Sequence, residues 1–430
     1  MNDTITDRSC PEARRMGERI AVSRRTLLRA LGVGGAALAT SLLVDTRVAF
    51  GADAGWAGDT VVVLFLRGGF DGLSAVAPVG DPTYAAWRPG IAVPSGTSIA
   101  LDRTFGLHPS LSALSPLWDA GDLAVVHATG LSNPNRSHFS AMDEIERAAP
   151  GTGARTGWLD RTLGIHDAGG PFGAVQLGSS SIPFSLRGPQ PELGMASLHD
   201  FSLNGADSAT DRAQWRTALT SLYSDAPTGF AASATGTLAA LDTAAALNEG
   251  DLAAHNGAEY PDSSLGGALH DAARLIRADI GVRVITIDEG DWDMHADLGR
   301  TDNGWMHDKL TDLGGSLAAF ATDLGTALDH VTLVTMSEFG RRVEENESGG
   351  VDHGWGNCMF VLGGHVVTGV HGTWPTLAAD RLTDGDLTVT TDYRAVLADV
   401  LANRTGATVP QIQTVFPNYS GQTLGVTTAE

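Results

Sequence analysis

Six consecutive apolar residues, Val61-Val62-Val63-Leu64-Phe65-Leu66, stop abruptly at Arg67-Gly68-Gly69. A run this short and apolar at every position suits a strand covered on both faces, the habit of parallel sheets. Leu123 to His127, Val282 to Ile287 and Val331 to Met336 repeat the feature, as does Asn357 to Leu362 before Gly363-Gly364. Between these runs lie helical patterns at Leu111 to Trp118, Phe139 to Arg147, Ser264 to Ala278 and His307 to Leu328. The alternation predicts an α/β fold with a mostly parallel central sheet and helices on both faces. Residues 200–260 break the rhythm: rich in Ala, Ser and Thr and without a strand signal, they predict a helical insertion or lid. Residues 55–430 are long for an ordinary domain but within reach of one large α/β domain.

The first 54 residues read as an address. Ser23-Arg24-Arg25-Thr26-Leu27-Leu28 precedes an apolar stretch from Ala30 to Val44, and Ala52-Asp53-Ala54 offers a cleavage site. Basic, apolar and small-residue regions in that order describe a signal peptide, and the paired arginines point to the twin-arginine export machinery. The apolar stretch falls short of the ~20 residues that a membrane span needs, so no stable span is expected there. Export would place the protein in the periplasm, cell envelope or extracellular space.

Charge removes several function classes. The chain carries 50 Asp and Glu against 28 Lys and Arg, a formal charge of -22. Nucleic-acid binding requires a basic surface that displaces counterions, so no nucleic-acid partner is expected. Lys309 is the only lysine, which disfavours Schiff-base and P-loop chemistry. Loss of the leader would leave Cys358 as the single thiol, inside the apolar run Cys358 to Leu362, where it reads as a buried small residue.

Ligands of open α/β sheets bind beyond the carboxyl ends of the strands, so the segments after each strand carry the chemistry. Carboxylates, histidines and hydroxyls recur there. Asp291, Asp293 and His295 form an O/O/N set able to hold a divalent cation, or else an acidic loop with capping aspartates. Asp352-His353-Gly354 offers a second ligand pair or plain turn chemistry. Glu338 directly follows an apolar strand, where a carboxylate is costly unless exposed or bound. Arg341 and Arg342 could bind an anion or pair with nearby glutamates. Ser137 and His138 begin a helix whose free N–H groups would stabilise phosphate or sulfate, although Ser137 also fits a simple N-cap.

Arg67 to Leu73, Pro134 to Phe139, Gly290 to His295 and Ser337 to Arg341, four motifs in order, together resemble the DUF1501 family of exported bacterial proteins. The resemblance runs from about residue 59 to the C-terminus. That family in turn resembles the alkaline phosphatase superfamily, which includes sulfatases and metal-dependent phosphomutases. The resemblance implies an alkaline-phosphatase-like α/β domain in which Asp71 binds metal at a strand end. It implies a ligand pair of Asp291 and His295, with Asp293 as the competing carboxylate, and His353 as the last histidine ligand. Asp352 and Glu338 join the candidate ligands. Glu338-Phe339-Gly340 stands where the superfamily has Asp-His-Gly, and Phe339 cannot ligate. One histidine of a two-metal site is thus missing, a single-metal or rearranged site follows, and His138 could compensate. For the nucleophile the resemblance implies Ser137 at a helix start. Ser132 is the second candidate, through a Ser-x-Pro-x-Arg spacing ending at Arg136.

These expectations describe an exported metal-dependent hydrolase or transferase acting on a phosphate or sulfate ester, small-molecule or glycan. A divalent ion (Zn, Mn, Mg or Ca) would activate the ester, Ser137 or Ser132 would attack, and Arg341 or Arg136 would stabilise the developing charge. A catalytically silent secreted binding protein of the same fold is the alternative, motivated by Phe339. A metal-dependent oxidoreductase is a third reading, which no dinucleotide, haem or cysteine motif supports.

Overall fold

The computed structural model describes residues 58–133, 135–166, 170–203, 208–420 and 424–429. The expected leader, residues 1–54, lies outside them.

Among the described residues, nine strands build the main sheet: β1 (Thr60–Leu66), β2 (Leu123–Gly130), β3 (Ala174–Leu177), β4 (Leu193–Met195), β5 (Val284–Glu289), β6 (Val331–Met336), β7 (Asn357–Gly363), β8 (Val370–His371) and β9 (Thr391–Asp392). Their order is β8-β2-β7-β6-β1-β5-β3-β4, with β9 also pairing β2. All pairings are parallel except the two made by β7, which runs antiparallel to both β2 and β6. The mostly parallel α/β architecture is therefore present, with one reversed strand. An all-apolar strand is equally content in either direction, so its sequence carries no mark of the reversal.

Alternation along β1 divides the core. Val62, Leu64 and Leu66 face one apolar layer, and Val61, Val63 and Phe65 the other. The first layer is closed by α6 (Ser264–Arg277) and α7 (Trp305–Leu324), whose Leu269, Leu310 and Phe320 are fully buried. The second is closed by α2 (His138–Arg147), α3 (Trp158–His166), α8 (Tyr393–Arg404) and α9 (Val409–Val415). The short α1 (Ser115–Ala120) leads into β2. Two helices, α4 (Ala209–Tyr223) and α5 (Thr228–Glu249), form a hairpin that, among the described residues, joins the first layer through the C-terminal half of α5, at Ala240, Ala244 and Leu247. Among the described residues, one helical segment, Gly229–Glu249, is long and apolar enough to cross a membrane, by length and composition only.

The reversal of β7 has a local consequence. Residues 337–356 leave β6 and enter β7 at the same edge of the sheet, so this loop stays over the carboxyl ends of β1, β5 and β6.

Candidate metal centre

Four chain segments converge at that edge. β2 is followed by a loop that delivers His138 as the first residue of α2. β5 is followed by Asp293 and His295, and β6 by the loop carrying Glu338, Arg341, Asp352 and His353. The turn Gly68-Gly69 after β1 supplies the floor. Gly68 has φ +117°, and a Cβ there would meet the Asp293 nitrogen at 2.7 Å, so only glycine lets the two loops approach this closely.

His138, Asp293 and His353 present ligand atoms that all lie within 4.8 Å of one another. His138 Nε2 and His353 Nε2 are 2.9 Å apart, and Asp293 Oδ1 is 3.1 Å from His353 Nε2 and 3.5 Å from His138 Nε2. His295 abuts this group, its Nε2 2.9 Å from His353 Nε2 and 3.0 Å from Asp293 Oδ1.

The backs of the imidazoles determine what their fronts can do. His138 Nδ1 is 2.7 Å from Glu338 Oε1, His295 Nδ1 is 2.8 Å from Asp352 Oδ1, and His353 Nδ1 is 2.9 Å from the Arg136 carbonyl. Each of these partners is an acceptor, so each Nδ1 is the donor and carries the proton. In the neutral ring the Nε2 lone pair then points into the cluster. Burial lowers the pKa of His353, which favours its neutral form. Two unprotonated nitrogens facing each other at 2.9 Å beside a carboxylate oxygen repel unless a cation stands between them. Carboxylate or carbonyl acceptors behind metal-binding imidazoles are the usual orienting arrangement. The donor set therefore fits a divalent ion.

The surroundings hold these groups in place. Phe339, buried, sets its ring centroid 4.8 Å from those of both His138 and His353, packing against the two imidazoles. Arg341 is 1% exposed and donates to the carbonyls of Gly68, Gly69 (2.6 Å), Trp292 (3.0 Å) and Val351 (3.0 Å), and to Asp293 Oδ1 at 2.7 Å. Burial opposes ionisation of Asp293, but the buried Arg341 guanidinium donating to its Oδ1 prevails and holds its pKa below the usual carboxylate range.

The structure separates the sequence candidates. Asp293 enters the cluster, whereas Asp291 is exposed in a left-handed conformation (φ 65°) and lies outside it. Glu338 and Asp352, read as candidate ligands, stand behind His138 and His295 as acceptors; the Glu338 carboxylate also receives the Gly68 N–H at 2.8 Å. Asp71 is claimed by a buried ion pair: Arg88 meets its two oxygens at 2.6 and 2.9 Å, and Ser74 donates to Oδ2 at 2.6 Å. Its carboxylate is thus neutralised by an internal cation. Arg341, expected to meet a substrate anion, has its guanidinium committed to the loops around it. Arg136 is partly exposed, but its Nε is 3.1 Å from the buried Asp386 and its guanidinium lies over the Trp355 ring at 5.2 Å. Ser137 is an exposed N-cap with no side-chain capping bond, and Ser132 is exposed in the preceding loop.

Sequence reasoning missed three contributors. Asn346 donates to the His295 carbonyl at 2.8 Å and to Asp352 at 3.2 Å. Arg88 and Asp386 act on Asp71 and Arg136 from 17 and 250 residues away. A lone Asn, Arg or Asp outside any motif carried no signal that would have found them.

Sheet and cluster together define an α/β protein with a candidate metal centre over the carboxyl ends of its strands. A family model described as "Protein of unknown function (DUF1501)" matches residues 59–408, and the chain belongs to that family. No curated protein matches the chain. Among solved structures, it is similar to the C-terminal periplasmic domain of EptC from Escherichia coli in complex with Zn (10% identity, 71% of this chain and 73% of that one, TM-score 0.31). It is also similar to the lipoteichoic acid synthase LtaP from Listeria monocytogenes (8%, 78% and 74%, 0.31). Alkaline phosphatase from the Antarctic bacterium TAB5 is a third (11%, 73% and 94%, 0.30). Likeness this remote transfers no residue role to the present chain.

Proposed function

We propose that this chain is an exported, metal-dependent hydrolase or transferase acting on a phosphate or sulfate ester. The observation that carries the reading is the convergence of imidazole Nε2 atoms on Asp293, each imidazole held from behind by an acceptor. His138, Asp293 and His353 would hold the ion, with His295 beside them. A set dominated by imidazole suits Zn better than Mn, Mg or Ca, which favour oxygen ligands. When bound, such an ion supplies Lewis-acid polarisation of a phosphoryl or sulfuryl oxygen and a lowered pKa for an attacking hydroxyl.

The chain's own groups supply the remainder. α2 begins at His138, so its first-turn N–H groups, which have no intrahelical acceptor, lie next to the centre and favour an anionic group there. Ser137, exposed and one residue before His138, is the candidate nucleophile, and Ser132 the reserve. Glu338, Asp352 and the Arg136 carbonyl keep the imidazoles in one tautomer through the reaction. The twin-arginine motif of residues 23–28 supports delivery by the export machinery.

A catalytically silent binding protein is the second reading. It draws support from Arg341 and Arg136, whose guanidinium groups are both engaged by the protein itself. Metal analysis by mass spectrometry, with His353→Ala and Ser137→Ala variants and an ester-hydrolysis screen, tests both. The hydrolase reading expects roughly one tightly held divalent ion per chain, lost in His353→Ala, and turnover lost in both variants. Metal-free wild type would overturn it. Metal bound without turnover of any phosphate or sulfate ester would favour the silent binder.

A further inference from the structure

The α4–α5 hairpin leaves its apolar surface uncovered. None of the described side chains of α4 is buried. Trp215 is 47%, Leu222 69%, Tyr223 37% and Phe230 68% exposed, four large apolar side chains within 16 residues. Trp215, Leu219, Leu222 and Tyr223 recur at i, i+4, i+7 and i+8, and Phe230, Ala234 and Leu238 at i, i+4 and i+8. Both are single-face stripes of a helix. Between them runs a groove of about 320 Å³ lined by Leu203, Leu219, Tyr223, Phe230, Leu238 and Leu241. Two helices alone cannot close such a face; bundles do so with four.

We propose that this surface pairs with the same surface on a second copy of the chain, two hairpins closing as a four-helix bundle about a two-fold axis. Charge selects this occupant. Between Arg216 and Asp242 the sole charged residue is Asp225, exposed in the turn at the hairpin tip. Dipping the tip into a bilayer would bury that carboxylate deepest, and a charged Asp is among the least tolerated side chains in hydrocarbon. Side-by-side pairing leaves both copies of Asp225 in water at the bundle ends. A helix lying flat on lipid needs a basic polar face. Here the basic residues of α4, Arg212 and Arg216, already pair with Glu249 and Asp242 of α5. Area fits as well: the four exposed side chains leave roughly 400 Å² uncovered. That is about half of the ~800 Å² per partner of a stable interface, the rest falling to the exposed polar residues that flank the stripes on both helices. The inference does not depend on the metal centre.

Sedimentation velocity of the full chain without detergent tests it. Wild type should be dimeric at about 50 μM, and the paired variant Leu222→Glu, Phe230→Glu should weaken association at least ~100-fold with an unchanged far-UV spectrum and metal content. Phe230→Ala provides the milder variant and should weaken it in the same direction. Because the chain is strongly acidic, the wild-type dimer should tighten as salt rises from about 0.01 to 0.15 M. Monomeric wild type at about 50 μM, or a dimer indifferent to both variants, would overturn the proposal. So would a monomer that floats with phosphatidylcholine vesicles and loses this behaviour on Phe230→Glu.

Discussion

At the carboxyl edge of the sheet, one buried guanidinium holds the Gly68, Asp293 and Val351 loops together, and each cluster imidazole has an acceptor at its back. In the α4–α5 hairpin, 25 residues from Thr217 to Leu241 carry a single charge, and several of their largest side chains face water. The first region is rigid because buried polar groups tolerate few alternatives to their present partners. The second is held by its own helical hydrogen bonds and by α5 where it meets the core. A polar site thus completes itself within one chain, while an apolar stripe on a two-helix arm waits for a surface of its own kind.

The contrast can be broken most forcefully at Arg341. Arg341→Ala removes the charge between the loops and leaves the Asp293 carboxylate and several carbonyls without a donor. Loss of about 3–5 kcal/mol of unfolding free energy is expected in urea titration. A loss below about 1 kcal/mol would show that the edge is not held as described.

Acidification should also weigh on the sheet edge more than on the hairpin. Burial holds the pKa of His127 in β2 at about 4, despite its hydrogen bond to the Val76 carbonyl, against 6.5 for the free side chain. The folded state therefore binds fewer protons than the unfolded state between those values, and stability falls as pH drops from 6.5 towards 4. The contribution is on the order of 2–3 kcal/mol. Comparing wild type with His127→Asn at pH 7 and 4.5 isolates it; equal pH slopes for the two proteins would contradict the assignment.

Asp352→Asn sharpens the view of the imidazole backs. Losing the carboxylate behind His295, which abuts the three groups that would hold the ion, should weaken metal binding by less than ~10-fold while leaving the ion bound at saturating concentration. Competition with a chelator would measure this. An effect as complete as that of His353→Ala would make Asp352 a ligand rather than an orienting group.

The smallest effect is expected on the arm. Phe230→Ser removes a side chain that packs mostly against water in the single chain, so unfolding free energy at high dilution should change by less than about 0.5 kcal/mol. A larger loss would mean that the arm is folded against the body more firmly than its exposure indicates.

Part of this arrangement was legible in the sequence. Val61 to Leu66 and its repeats placed five of the nine strands, β1, β2, β5, β6 and β7, while the short β3, β4, β8 and β9 carry too few apolar residues to stand out. The rule that parallel sheets bind at carboxyl ends placed His138, His295 and His353 at one edge with Asp291 or Asp293. The choice between Asp291 and Asp293 was not legible, because it depends on a left-handed residue at 291 that turns the loop. Nor was the fate of Asp71 or Arg136. Their partners, Arg88 and Asp386, are selected by three-dimensional proximity, which leaves no periodicity or spacing in a single chain.

The reversed strand β7 also orders events in time. A loop that leaves and re-enters the sheet at one edge joins neighbouring antiparallel strands, so Glu338, Arg341, Asp352 and His353 come together through near-sequence contacts. Such contacts form early in folding, because closing a short loop costs little entropy. His138 and Asp293 arrive from β2 and β5, 215 and 60 residues distant from His353. The centre is therefore expected to assemble in two stages, His353 and its supporting loop first and His138 and Asp293 only once the whole sheet has formed. Capture of an ion by all its ligands would serve as a clock for the last step of folding, readable in a refolding experiment as a metal signal that lags the return of secondary structure.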